Sequence, residues 1–224
     1  MHIEDGILSA GSLITYYGIT AAVVVPGVLQ MKKRVLDSPY YKPLTAMVGV
    51  AVFVISSMHL PVAVTGSCSH PCGTPLASII VGPFATVVLS ALVLFFQAIF
   101  LGHGGITTIG ANTVSMGIAG TLSGFIIWKF FRKIKCPIWV AAFLAGLIGD
   151  LVTYLTSALE LAIDLHGHVP LVKQWMVFFM GYGPTQFPLA IAEGVFTAVV
   201  LQIMLSRRPD LLPGVGDLRT RGAR

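Results

Sequence analysis

Ser12-Leu-Ile-Thr-Tyr-Tyr-Gly-Ile-Thr-Ala-Ala-Val-Val-Val-Pro-Gly-Val-Leu-Gln30 is an uncharged apolar run, interrupted only by small polar residues and Pro26. A spanning helix needs about 20 predominantly apolar residues, so this stretch predicts a first membrane crossing. Composition extends the reading to the whole chain. Of its 224 residues, 55% are hydrophobic and 10% charged, whereas a soluble domain carries roughly a quarter charged residues. The fold class is therefore all-α, a polytopic membrane helix bundle with room for about six or seven crossings. Residues 1–205 read as a single transmembrane domain, and 206–224 as a short basic cytoplasmic tail.

Working outward from the first run, Lys32, Lys33, Arg34 and Lys42 form a positive cluster expected on the cytoplasmic side of a cell membrane, which leaves the N-terminus external. A second helix is predicted over 44–58, ending before Pro61, and a third over 77–101. The polar, glycine-rich run 102–112 cannot face lipid and is expected to line an interior. A fourth span ends near Phe131, and a fifth covers 139–165. One or two more, over 175–182 and 187–205, are separated by Gly183-Pro184. Alternating these crossings puts the cluster Lys129, Arg132, Lys133 and Lys135 outside, against the positive-inside rule. Either one crossing is miscounted or the rule is overridden. With seven spans, Arg207-Arg208 falls inside.

The chain begins Met1-His2-Ile3-Glu4-Asp5, without the positive region of a signal peptide, so the terminus is expected to be kept as translated. A histidine in second place brings an α-amine, the amide nitrogen of residue 2 and a ring nitrogen within reach of one metal ion, closing two small chelate rings. Amine and imidazole, with reference pKa values of roughly 7.7–8.0 and 6.5, give up protons to a metal far more readily than lysine does. Flat nitrogen coordination suits Ni(II), Cu(II) or low-spin Co(II) better than Mg or Ca. In Ser67-Cys68-Ser69-His70-Pro71-Cys72, the C-x-H-x-C pattern offers three donors where a structural zinc site usually has four. Completing a square with Met1 and His2 is the better use of His70.

Other polar groups sit in or beside apolar spans. His103, Gln97, Asn112 and Ser69 are read as groups that steady the ligands or line a pathway. Asp150, Glu193 and Gln186 are read as interior groups serving a pathway or helix contacts. His59, at a helix end, is expected to meet headgroups. The three cysteines are an odd number and allow no full disulfide framework. With no phosphate loop, H-E-x-x-H or G-x-S-x-G motif, the sequence reads as a non-enzyme.

Met1-His-Ile-Glu-Asp-Gly6, Val64-Thr-Gly-Ser-Cys-Ser-His-Pro-Cys-Gly-Thr74, Gly102-His-Gly-Gly-Ile-Thr-Thr-Ile-Gly-Ala-Asn112 and Leu189-Ala-Ile-Ala-Glu-Gly194 together resemble the CbiM/NikM family. These are the cobalt and nickel substrate-capture components of energy-coupling-factor (ECF) transporters. The resemblance implies a bundle of six or seven helices whose metal ligands are Met1, His2 and His70, with Co2+ or Ni2+ as transported ligand and no resident cofactor. The implied partners are a transmembrane coupling subunit, ATP-binding cassette ATPase subunits that hydrolyse ATP, and a small auxiliary membrane subunit. The Ser-Cys-Ser-His-Pro form looks closer to cobalt members. A nickel-specific capture subunit, and a proton-coupled permease working through Asp150 and Glu193 without an ATPase, are the competing readings.

Overall fold

The computed structural model describes residues 2–62 and 67–212. Seven helices follow in order among them. They are α1 (Ala10–Asp37), α2 (Tyr41–Ser56), α3 (Thr74–Val81), α4 (Pro83–Leu101), α5 (Ile109–Lys133), α6 (Ile138–Leu165) and α7 (Leu171–Arg207). Five of them, α1 and α4 to α7, are long and apolar enough to cross a membrane. A small antiparallel hairpin, β1 (Leu60–Val62) and β2 (Ser67–Ser69), pairs Leu60 with Ser69 and Val62 with Ser67. It lies between α2 and α3, where the sequence predicted only a loop.

Local chemistry explains the element ends. Ser9 caps α1 by accepting from the Ser12 amide, satisfying one of the donors that a helix start leaves open. Pro26 stays inside α1. Pro184 and Pro188 likewise stay inside α7, a single 37-residue helix, so the predicted break at Gly183-Pro184 is not there. Proline is tolerated inside a membrane helix because its neighbours re-satisfy the freed carbonyls, and α7 packs along α6 over much of its length. In the middle of α5 the helix widens to π geometry over Thr113–Gly120.

The opposite correction falls on 77–101. It has the length of one span but forms two helices, broken at Gly82, whose φ of +91° only glycine adopts without strain, and restarted by Pro83 at the first position of α4. The break is a reversal. Arg34 Nη1 donates to the Val81 carbonyl at 2.8 Å and Tyr41 Oη donates to it at 2.9 Å, so α3 ends beside the end of α1 and the start of α2. At the far end of α4, Gln97 Nε2 donates to Ser56 Oγ at 2.8 Å, beside the end of α2. The stretch 70–73 and α3 therefore run one way through the bundle and α4 runs back.

This reversal removes the conflict in the crossing count. One more change of direction brings the end of α5 to the same face as the end of α1, and Arg34, Gly82, Phe125 and Asp210 line one cleft there. All three basic clusters, at 32–34, 129–135 and 207–208, share that face. The chain's first residues, the hairpin and the 102–108 stretch gather at the other. The structure closes beyond α7 with a short turn, Pro209–Leu211, after which Leu212 is buried, so the chain stays packed on the bundle past residue 206.

Single cysteines replacing Lys33 and Lys135, in a Cys136→Ser background, are expected to react with an impermeant maleimide from one side of a sealed vesicle, and a cysteine replacing Glu4 from the other. Labelling of positions 33 and 135 from opposite sides would refute the helical reversal at Gly82.

Candidate metal centre

Ile3 is the first fixed point of the chain. Its amide donates to Asn112 Oδ1 at 2.8 Å, and its carbonyl accepts from Thr108 Oγ1 at 2.5 Å, Asn112 Nδ2 at 3.1 Å and the Gly105 amide at 3.2 Å. Asp5 continues the clamp by accepting from the Ile106 and Thr107 amides at 3.2 and 2.9 Å and from the Thr107 hydroxyl. The Thr107 hydroxyl bond, opposed by burial and helped by the two amide bonds, holds Asp5 below the usual carboxylate range. Gly104, at φ +74°, lies so close to His2 that a Cβ there would stand 2.9 Å from the ring. The 102–112 stretch thus lines an interior, as its composition predicts, and the interior is the seat of the chain's first residues.

His2 is 2% exposed. Its carbonyl accepts from Ser67 Oγ at 2.9 Å, which ties it to β2. Gln97 Nε2 is committed to Ser56, so Gln97 Oε1 faces His2 Nε2 at 2.9 Å and the ring must donate from Nε2. On the other side, His70 is held through its backbone: its amide donates to Tyr154 Oη at 2.7 Å, and Tyr154 donates back to its carbonyl at 3.1 Å. His70 Nδ1 donates to the Pro71 carbonyl at 2.9 Å. These partners assign the tautomers. Each neutral ring is left with one lone pair, at His2 Nδ1 and His70 Nε2.

Those two nitrogens lie 2.8 Å apart with no proton between them to share. Two lone pairs at that distance repel unless something positive sits beside both. Metal–nitrogen bonds of about 2.0–2.1 Å meeting at a right angle put their donors about 2.8–3.0 Å apart, so the pair fits adjacent corners of a flat metal site. Nδ1 is also the ring nitrogen that closes a six-membered chelate with the His2 amide nitrogen. Burial pushes His2 down to about 3, opposed by its hydrogen bond to Cys68 and reinforced by the neighbouring His70. Burial also lowers His70. Both rings are therefore kept neutral and ready to donate.

Two more donors border the pair. The ligand atoms of His2, Cys68, His70 and His103 all fall within 4.8 Å of one another. Cys68 Sγ lies 3.3 Å from His103 Nε2 and 4.0 Å from His2 Nδ1. The His103 ring packs on His2 at 4.1 Å between centroids and stacks on the exposed His59 at 4.2 Å. Of the sequence-predicted residues, His2, His70, His103, Gln97 and Asn112 come together here. Ser69 turns away, its hydroxyl 2.7 Å from Thr185 Oγ1 on α7, and so ties the hairpin to the bundle. Met1 lies outside the described residues. Tyr154, Thr108, Ser67 and Asp5 were not singled out from the sequence. Asp5, Ser67 and Thr108 lie inside the motifs that carry the family resemblance, and Tyr154 lies one helical turn from Asp150 on the same face of α6.

The fold is that of a multi-pass helical membrane protein, with a buried, nitrogen-rich cluster of side chains at one end that could hold a metal ion. Residues 2–211 match the CbiM family, described as the cobalt uptake substrate-specific transmembrane region, and the chain belongs to that family. It is 40% identical over 216 residues to the cobalt transport protein CbiM of Geobacter sulfurreducens, covering 96% of this chain and 62% of that one. The chain thus spans less than two thirds of that relative. It is also 40% identical over 212 residues to the cobalt transport protein CbiM of Sorangium cellulosum, covering 95% of this chain and 94% of the relative. Its fold matches a crystal structure of a truncated transition metal transporter with a TM-score of 0.81 at 24% identity, over 92% of this chain and 99% of that one.

Asn112→Ala removes two of the bonds on Ile3 and touches no donor atom. Outer partners of this kind are worth about 10–100-fold in metal affinity, and a loss of that size for Co(II) is expected on titrating the purified variant, with its helical circular dichroism retained. Unchanged affinity would mean that the Ile3 clamp does not hold the donors.

Proposed function

We propose that the chain is the substrate-binding membrane subunit of an ECF-type transporter that imports Co2+, with Ni2+ as a second possible cargo. The metal is gripped by the free N-terminal amine of Met1, the amide nitrogen and Nδ1 of His2, and Nε2 of His70. The observation that carries this reading is the convergence of the His2 and His70 lone pairs at 2.8 Å. It supports a flat site because both chelate rings then radiate from His2, leaving His70 as the fourth corner. Flat nitrogen fields favour Ni(II) and low-spin Co(II), and relatives bearing the name cobalt transport protein favour cobalt as the cargo.

In this reading the basic face is cytoplasmic and the N-terminus is external, at the cell membrane. The metal enters from outside past His59 and His103. Binding displaces protons from the amine and amide. The chain itself carries no nucleotide motif, so the energy for release comes from a transmembrane coupling subunit and ATP-binding cassette ATPases, joined by a small auxiliary membrane subunit.

Adding one residue ahead of Met1 keeps every side chain and moves only the amine and the chelate register. Affinity for Co(II) and Ni(II) is expected to fall by at least about 100-fold, more than the loss of an outer partner, with the melting temperature of the metal-free protein unchanged. Equal affinity before and after the extension would overturn the proposal and leave His70, Cys68 and His103 as the donors.

A further inference from the structure

A second group of donors lies deeper, on the far side of the same loop. Cys72, Asp150 and Glu193 are 0%, 0% and 3% exposed, and their ligand atoms all lie within 4.8 Å of one another. Glu193 accepts from the Cys72 amide at 2.5 Å through Oε2 and from the Gly73 amide at 2.8 Å through Oε1. Gln186 Nε2 donates to Asp150 Oδ2. Two buried oxygens at this point, Asp150 Oδ1 and Gln186 Oε1, have no hydrogen-bond partner. The ion pair found among the described residues, Arg208 with Asp210, lies at the surface, so no cationic side chain pairs with either buried acid.

Two acids and a thiol in a low-dielectric interior either stay protonated or meet a cation, because unpaired buried charge is too costly. The unpartnered Asp150 and Gln186 oxygens point to the second solution. The amide bonds to Glu193 do not consume it, since each carboxylate oxygen has a further lone pair, and they orient it as outer partners orient a metal ligand.

We propose that Cys72, Asp150 and Glu193 form an inner binding site for a transition-metal dication, with the Gln186 carbonyl as an additional oxygen donor. The site is separate from the His2–His70 pair and goes beyond the capture reading. One thiolate and two or three oxygens suit a roughly tetrahedral Co(II), Zn(II) or Cd(II) and do not impose a flat field. Asp150 lies 12 residues into α6 from its start at Ile138, about 18 Å along the helix axis, so the inner site falls between the outer donors and the basic face. Cys72 follows His70 by two residues. A cation released by the outer nitrogens therefore meets inner donors carried by the same loop.

The test uses Co2+ itself. In the full-length chain with His2→Ala, His70→Ala, His103→Ala, Cys68→Ser and Cys136→Ser, the side-chain donors of the outer cluster are gone and Cys72 is the remaining thiol. One equivalent of Co(II) is expected to bind with a thiolate-to-cobalt charge-transfer absorption. Cys72→Ser should abolish that band, and Asp150→Asn should weaken binding at least tenfold. No band in a background that keeps its helical circular dichroism would overturn the inner site. Should that background fail to fold, the native chain and its single Cys72→Ser variant are titrated side by side. Two equivalents falling to one support the site, and one in both overturns it. The outer-site reading stands or falls separately, on the extension ahead of Met1.

Discussion

The arrangement depends on the four hydrogen bonds that fix Ile3 to Asn112, Thr108 and Gly105. Chain termini fray unless they are tied down, and one intramolecular hydrogen bond is worth only about 0.5–1.5 kcal/mol net. Several such bonds on one buried residue, extended by Asp5, are enough to seat a segment that belongs to no helix. Once Ile3 is fixed, the preceding residue has little freedom. His2 enters the slot between Gln97, Gly104 and the hairpin, and the Gln97 carbonyl decides which of its nitrogens faces inward.

The opposing donor depends on a different part of the fold. His70 is carried by a stretch that dips into the bundle and is gripped through its backbone by Tyr154 and, two residues on, by Glu193. Tyr154 and Glu193 sit on α6 and α7, the two long helices packed most extensively on each other. The donor on a loop is therefore anchored to the most extensively packed pair of helices among the described residues. The reversal at Gly82 lets this happen within a short length. It allows the chain to descend as loop plus α3 and return as α4, bringing Gln97 back to the level of His2.

Much of this could be read from the residues. Absence of charge gave the spans, and the chemistry of a histidine in second place singled out His2 and His70 together. What escaped was set by tertiary context. The 77–101 run has the apolar length of one crossing, and only Gly82-Pro83 and the misplaced basic cluster at 129–135 hinted that it turned back. Gly183-Pro184 presented an equally strong break signal, yet α6 supports α7 straight through it. Polar residues in apolar runs correctly marked Gln97 and Asn112 as interior. The partner of Ser69 was not legible, because its neighbour in space, Thr185, lies 116 residues away and no local pattern reports such a pairing. Cys68 was visible as a donor type, but its nearness to His103 appeared only when the hairpin met the glycine-rich stretch.

The most direct measurement is the anomalous scattering of crystals of the native chain loaded with one equivalent of Co(II) or Ni(II). A flat nitrogen site predicts a single strong peak about 2 Å from both His2 Nδ1 and His70 Nε2, with Cys68 Sγ beyond bonding distance. A peak bonded to Cys68 and His103, with His2 Nδ1 left uncoordinated, would contradict it.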